Sequence, residues 1–428
     1  MRYLKINGEK KKIPPFPHHK FYVYCSRKFF MARSILDHMT MNRFITIKEL
    51  INGWRYKTFI PRVLLIDPTS ACNLKCKGCW ASDYSRTDHL SYEKLDDIIT
   101  QARKLGIGDV LMTGGEPLMR KDDIIKLCDK HRRTTFAAFT NATMIDEKFA
   151  DEMVRLGNLN MFLSIEGTKE ETDFRRGQGV YDKVIKAMDI LKSRDIGFAF
   201  SACYHSKNYK TIASDEFLDY MREKGCWFGW LFNYVPVGSD ADLELTCNAE
   251  QRAYVQQKIS NYCIRNEYTI VDFWNNGHLA FGCLAAGNGF IHINSKGDVE
   301  PCAFCHYSDS NIHEVSLLDA LRSPFFTGFR KAQPFSSNPL RACPLVDVPE
   351  GIVNVVKEGN AHSTHFNNPE SAETLAEKNY KRAEQWKIKA EELFKNMPPH
   401  NQKNFPVFLK YHRFKKRTSD ERRKNQNV

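Results

Sequence analysis

Long apolar runs are missing from this chain. No stretch reaches the roughly 18–20 consecutive apolar residues that a membrane-crossing helix needs. The longest uncharged run of note, 225–239, is too short and carries Pro236. No apolar secretory leader follows Met1-Arg2-Tyr3-Leu4-Lys5. The thirteen cysteines are therefore expected to be reduced thiols in the cytoplasm, free to bind metal rather than paired in disulfides. Acidic residues are scarce at both ends. Residues 1–60 carry 13 Lys/Arg against 3 Asp/Glu, and residues 403–428 carry 9 against 2. The ends are thus +10 and +7, and the rest of a +12 chain is −5. The basic character belongs to the flanks and not to the body.

What is present is enough for a large core. Hydrophobic residues make up 42% of 428, which implies one large catalytic domain with extensions, or two domains. The expected division is a basic extension over 1–60, a core over 61–245, a second region over 246–350, and a helix with a basic tail over 351–428. In the extension, Phe29, Phe30, Ile35, Leu36, Met39 and Phe44 suggest amphipathic helices within 22–50. They either cap the domain or face an anionic membrane or partner.

From residue 61 strands and helices alternate, with strands expected at 62–67, 109–113, 135–140, 159–165, 196–203 and 228–235. Ser91 reads as the N-cap of a helix over 92–105 closed by Gly106; Asp146 and Ser214 read as later caps, with Gly157 and Gly225 as stops. Such alternation implies parallel strands with helices outside, and functional residues at the C-terminal strand ends.

Those strand ends carry the chemistry. After the first comes Cys72-Asn73-Leu74-Lys75-Cys76-Lys77-Gly78-Cys79. Three thiolates this close reach three corners of one metal cluster, and a four-iron cluster has four irons to ligate, leaving one open. After the second comes Thr113-Gly114-Gly115-Glu116-Pro117, a turn that lets backbone approach a ligand closely. Thr140-Asn141, then Ser164 and Glu166, end the next two; Arg175-Arg176 follow. Ser164 reads equally as a turn residue, and the two arginines as surface charge. Trp227, Trp230 and Phe232 read mainly as core, Asn233 and Tyr234 as facing a substrate. A helix is expected at 249–265. Further on, Phe290–Ile293 and Val299-Glu300 flank a five-residue turn and read as a hairpin whose shoulders bring Cys283 and Cys302 together. Cys305 and Cys343 complete a set of four, which suits one iron–sulfur cluster or a zinc ion. Cys25, Cys128, Cys203, Cys226, Cys247 and Cys263 read as small buried hydrophobes. Residues 371–397 read as a long solvated helix.

The cysteine loop with the strand before it and the glycine turn after it resembles the radical S-adenosylmethionine (radical SAM) enzymes. Gly78 stands where that family usually has an aromatic residue, with Trp80 just after. The four later cysteines resemble the family's SPASM and twitch extensions, in the one-cluster form. The resemblance implies an α/β fold: a partial (β/α)6 TIM-like barrel with a C-terminal hairpin-plus-helix subdomain. It implies that Cys72, Cys76 and Cys79 hold a [4Fe-4S] cluster whose open iron is chelated by SAM, and that the reduced cluster cleaves SAM to a 5′-deoxyadenosyl radical that attacks an unactivated C–H bond. Gly114, Gly115, Glu116, Asn141, Ser164, Glu166 and Arg176 become SAM-binding candidates. Cys283, Cys302, Cys305 and Cys343 become ligands of an auxiliary [4Fe-4S] cluster. The implied partners are a reductant such as flavodoxin or ferredoxin and a peptide, protein or small-molecule substrate. The basic ends add a lipid substrate at an anionic membrane surface as an alternative; a non-catalytic iron–sulfur or zinc protein is another.

Overall fold

The structure, a computed structural model, describes residues 2–6, 9–13, 51–238, 241–280 and 282–396. The helices expected within 22–50 and the basic tail lie outside these residues. Near the start, β1 (Arg2–Ile6) and β2 (Glu9–Ile13) form a hairpin in the register Arg2↔Ile13 to Ile6↔Glu9, which the sequence reading had not assigned.

All six expected core strands are present: β3 (Val63–Ile66), β4 (Asp109–Met112), β5 (Thr135–Thr140), β6 (Leu159–Ser164), β7 (Phe198–Tyr204) and β8 (Cys226–Asn233). They pair in parallel in sequence order. Between them lie α1 (Tyr92–Leu105), α2 (Lys121–Lys130), α3 (Glu147–Leu156), α4 (Lys169–Arg176), α5 (Val180–Ser193) and α6 (Asp215–Lys224). The helix ends follow the local chemistry. Ser91, Asp146 and Ser214 accept N–H bonds at the expected starts, and Gly106, Gly157 and Gly225 take the left-handed conformation at the stops. α1 buries Leu95, Ile98, Ile99, Ala102 and Leu105, one stripe at helical spacing.

The sheet is larger than six strands. β9 (Ile270–Asp272) extends one edge beyond β8. At the other edge β10 (Phe290–Ile293) pairs in parallel with β3 and antiparallel with β11 (Val299–Glu300). The expected hairpin is there, but its first strand is part of the main sheet. The order is β11-β10-β3-β4-β5-β6-β7-β8-β9, and β11 and β9 do not pair, so the barrel is partial and open.

Right-handed crossovers between consecutive strands put all the helices on one face. On that face Leu64, Ile66, Phe136 and Ala138 are completely buried against α1 and its neighbours. The opposite face is different. Val63, Leu65, Ala137, Phe139, Phe228 and Trp230 are only partly buried and form a second apolar cluster with Leu111, Phe162 and Ala199. The face of the sheet opposite the helices is a half-buried aromatic surface.

Beyond the sheet, α7 (Ala249–Asn266) matches the expected helix and starts at a reciprocal Asn248–Gln251 capping box. α8 (Pro324–Ala332) and α9 (Glu350–Glu358) follow. The expected solvated helix is α10 (Ala372–Lys395), which is not solvated all round: it buries Leu375, Ala383, Trp386, Ala390 and Leu393. The Arg252 guanidinium of α7 lies 3.9 Å from the Trp386 ring, so α10 is docked by a cation–π contact as well as by apolar burial.

Candidate active site

The cysteine loop is held on three sides. From the glycine turn, the Gly115 and Glu116 amides donate to the Thr69 and Ala71 carbonyls at 3.1 and 2.8 Å. The approach is too close for any side chain: a Cβ on Gly115 would lie 2.1 Å from the Ala71 oxygen, and one on Gly114 2.7 Å from the Thr69 oxygen. These glycines are required by the cysteine loop itself. From the end of β5, Asn141 Nδ2 donates to Asn73 Oδ1 and Asn73 Nδ2 to Thr143 Oγ1, both at 2.8 Å. From α4, the Arg175 carbonyl accepts the Lys77 amide at 2.8 Å. Arg86 adds a clamp, donating to the Cys72 and Leu74 carbonyls.

Glu116 is fully buried. Its carboxylate accepts from Thr140 Oγ1 and the Asn141 amide, each at 2.7 Å, and from the Leu118 amide at 3.0 Å. Burial pushes its pKa up, and these three donors partly offset that. It joins the turn after β4 to the end of β5. Glu166, also buried, binds Arg175 Nη1 and Arg176 Nε, each at 2.7 Å, and the Cys203 amide at 2.9 Å. Burial opposes its charge, but the two guanidiniums outweigh it and hold the pKa down. The arginines are thus buried ion-pair partners and not surface charge. Ser164 sits at the end of β6, in register with Ser201.

Cys72, Cys76 and Cys79 lie within electrostatic reach of one another, and Arg175 and Arg176 act on Cys79. Burial pushes Cys72 up to about 11 and Cys79 up as well. Cys283, Cys302, Cys305 and Cys343 form a second such group, Cys305 buried and the other three half-buried, all shifted upward by desolvation. An all-thiol donor set fits iron–sulfur ligation, in which a bound cluster's positive irons would supply what ionises the thiols. Among the described residues, no three His, Cys, Asp or Glu side chains converge tightly enough for a single metal ion. Behind the second set, Arg252 donates to Asn275 Oδ1 at 2.8 Å and to Asp347 Oδ1 at 2.5 Å, while Asp347 Oδ2 accepts the Cys343 amide at 3.1 Å. Of the cysteines read as structural, Cys128, Cys226 and Cys247 are buried and Cys203 and Cys263 half-buried; Cys25 lies outside the described residues.

Three features escaped the sequence reading. Tyr234, expected to face a substrate, packs on Gly78: a Cβ there would lie 2.5 Å from its ring, so the residue just after β8 supplies the aromatic group that the loop lacks. Its neighbour Asn233 keeps a buried Oδ1 without a hydrogen-bond partner. Trp80 bridges the two cysteine groups, with Phe304 at 5.8 Å and His306 at 5.8 Å. Finally, His292 is buried between two carboxylates, Nε2 2.9 Å from Asp67 Oδ1 and Nδ1 2.6 Å from Glu300 Oε2. Charged residues at strand ends were the available signal for the last, but nothing local paired them.

Residues 66–218 match the radical SAM superfamily, and residues 283–344 match the SPASM iron-sulfur cluster-binding domain. The chain carries a radical SAM domain followed by a SPASM domain. An uncharacterised protein of Archaeoglobus fulgidus is 29% identical over 45% of this chain and 44% of its own length, so that match spans less than half of the relative. An AdoMet-dependent heme synthase of Methanosarcina barkeri is 25% identical over 60% of this chain and 81% of its own. SuiB of Streptococcus suis, in a structure bound to the precursor peptide SuiA, shares the fold: TM-score 0.59 at 20% identity, covering 78% of this chain and 80% of that one. In this chain the radical SAM domain implies a [4Fe-4S] cluster and SAM, and the SPASM domain implies auxiliary iron–sulfur clusters; radical SAM enzymes need a reductant and a substrate. No helix among its described residues is long and apolar enough to cross a membrane.

Proposed function

We propose that the enzyme cleaves SAM reductively to modify an unactivated C–H bond of a substrate lodged on the aromatic face opposite the helices. The observation that carries this reading is the three-thiol loop locked to the Gly114-Gly115 turn and to the end of β5. Cys72, Cys76 and Cys79 hold the cluster; Cys283, Cys302, Cys305 and Cys343 hold one auxiliary cluster. When bound, the first cluster and SAM supply a 5′-deoxyadenosyl radical, and that chemistry belongs to the cofactor. The chain positions and shields. The turn backbone and Ser164 hold SAM. Glu116 and Asn141 act indirectly, because their polar atoms are occupied in holding the turn and the loop. Glu166 fixes Arg175 and Arg176 beside the thiols; Arg176 Nη1 is the donor left to meet a SAM carboxylate.

The substrate presents an apolar or planar group to Phe139, Phe162, Trp230 and Phe232, whose rings are in mutual contact. The heme synthase relative supports a tetrapyrrole, and SuiB's bound peptide supports a peptide; the aromatic face accepts the apolar parts of either. The test is anaerobic reconstitution. Seven ligating cysteines give about eight irons per chain, and changing Cys72, Cys76 and Cys79 together to Ala leaves about four and abolishes 5′-deoxyadenosine. Equal SAM cleavage by wild type and triple variant refutes the enzyme reading. Offering tetrapyrroles and peptides in parallel, and scoring the rise in 5′-deoxyadenosine, separates the substrates.

The basic ends support a separate reading of location: a cytoplasmic enzyme touching an anionic membrane surface, and on that surface a lipid substrate. Each Lys or Arg near such a surface adds on the order of 1 kcal/mol. Co-sedimentation with anionic but not neutral vesicles, weakened by salt and by deleting residues 403–428, is the expected result; no binding at low salt ends it.

A further inference from the structure

The outer side of the cysteine loop has a chemistry of its own. Along it the half-buried Leu74, Cys76 and Gly78 alternate with exposed Lys75 and Lys77. The thiols therefore sit on the inner side and the ammonium groups point out. Lys77 Nζ lies 3.9 Å from the centre of the Phe174 ring, and Lys207 Nζ lies 5.2 Å from the same ring. Phe174, on α4, is 39% exposed, one of the few large apolar side chains left in solvent. The arrangement is an apolar centre flanked by cations from two separate elements.

These lysines differ from their neighbours. Lys121, Lys130, Lys169 and Lys224 each meet a carboxylate, whereas among the described residues Lys77 and Lys207 meet none. Glu170, one helical turn before Phe174, answers to Lys169 and Thr168. Asp242 and Glu244 belong to the neighbouring turn, whose Glu244 carbonyl holds the Ser206 hydroxyl. Unpaired cations around an exposed ring stand out on a body that is net −5. Ammonium–π contacts hold both cations in place without neutralising them.

We propose that Lys75, Lys77, Phe174 and Lys207 form the docking surface for a small acidic one-electron carrier protein, an inference that rests on the reading of the function above. Each turnover needs one electron delivered to the cluster held by Cys76 and its partners. The carrier gives up that electron and is oxidised by one; SAM accepts it as the sulfur–C5′ bond breaks and methionine leaves. The patch lies on the two residues that flank Cys76, so a carrier seated there has the short path. Acidic charge on the carrier is steered by the lysines, and its apolar rim covers Phe174.

The test uses reconstituted holoenzyme with an acidic flavodoxin as probe. Binding is measured directly by calorimetry, cluster reduction by stopped-flow absorbance, and 5′-deoxyadenosine with flavodoxin or with dithionite as the electron source. Lys77→Glu/Lys207→Glu should weaken flavodoxin binding and slow flavodoxin-driven reduction at least tenfold; Phe174→Ser should weaken binding several-fold. Iron content and dithionite-driven product should stay at the wild-type level. Raised salt should weaken wild-type binding and leave the double variant little changed. Lys357→Glu, an exposed lysine on α9, serves as the charge control. The proposal is overturned if the double variant weakens binding no more than that control. It is equally overturned if dithionite-driven product falls in parallel, since the lysines would then serve the loop's own structure. A wild-type enzyme that yields no 5′-deoxyadenosine even with dithionite fails at the earlier reading instead.

Discussion

His292 gives a stability prediction whose sign and size follow from its surroundings. It is fully buried, and each ring nitrogen faces a carboxylate, Asp67 at 2.9 Å and Glu300 at 2.6 Å. Both nitrogens can donate only in the imidazolium form. Burial opposes that charge, but the two carboxylates outweigh it and push the pKa up to about 10 from an ordinary 6.5. A folded-state pKa raised above the unfolded one adds stability that is complete below about pH 6.5 and is lost as pH rises toward 10. At about 1.4 kcal/mol per pKa unit, the full linkage is about 5 kcal/mol, lost at about 1.4 kcal/mol per pH unit through that window. Replacing His292 with Asn leaves two buried carboxylates without their cation, a change that costs about 3–5 kcal/mol. Urea unfolding of the anaerobic holoenzyme, followed by tryptophan fluorescence at pH 6.5, 7.5, 8.5 and 9.5, reads the difference; Trp80 reports locally, 6.2 Å from the ring. The gap between wild type and His292→Asn should be widest at pH 6.5 and narrow steadily with rising pH. A gap that stays constant across the range refutes the buried imidazolium, whatever its size.

Two further outcomes are expected. Gly115→Ala drives a Cβ into the Ala71 carbonyl, at or above the upper end of the about 1–3 kcal/mol typical of overpacking, because the neighbour is backbone; circular dichroism melting should show the loss, and SAM cleavage should disappear while about four auxiliary irons remain. Arg252→Met strips Asp347 of its buried partner, at a cost of about 3–5 kcal/mol, and because Asp347 also holds the Cys343 amide, iron analysis should show the auxiliary cluster depleted and the SAM cluster retained.

The sheet was legible because its signals are local. Caps such as Ser91 and stops such as Gly106 announce helices from within a few residues, and apolar runs between them announce strands. The nearness of Cys72, Cys76 and Cys79 was legible for the same reason, whereas Cys343 joins Cys283, Cys302 and Cys305 from far along the chain. The roles of Glu116 and Asn141 were not, since whether a polar side chain meets a ligand or a neighbouring loop depends on partners at 24 to 68 residues' distance in sequence. The half-buried aromatic face was hidden too. In β8, Trp230 and Phe232 look like core by composition, and only the pairing of strands shows that they lie opposite the helices. The place of β10 beside β3 was beyond any local pattern, because a four-residue apolar strand carries no mark of its partner.

That last pairing has a consequence for how the protein is made. β3, the strand that leads into the cysteine loop, has β4 on one side and β10 on the other. The first neighbour comes soon after it; the second lies far along the chain, with His292 meeting Asp67 across 225 residues. At synthesis rates of about 5–20 residues per second, one edge of β3 waits on the order of 10–45 s for its partner. During that wait it is a bare strand edge beside three free thiols, open to pairing with other chains. Cluster insertion before the hairpin closes would meet a loop lacking the Ile293 carbonyl bond to the Asp67 amide. The full set of bonds around the strand that leads into the cysteine loop therefore needs the chain through residue 293. Chains cut short before residue 293 should be the ones that aggregate.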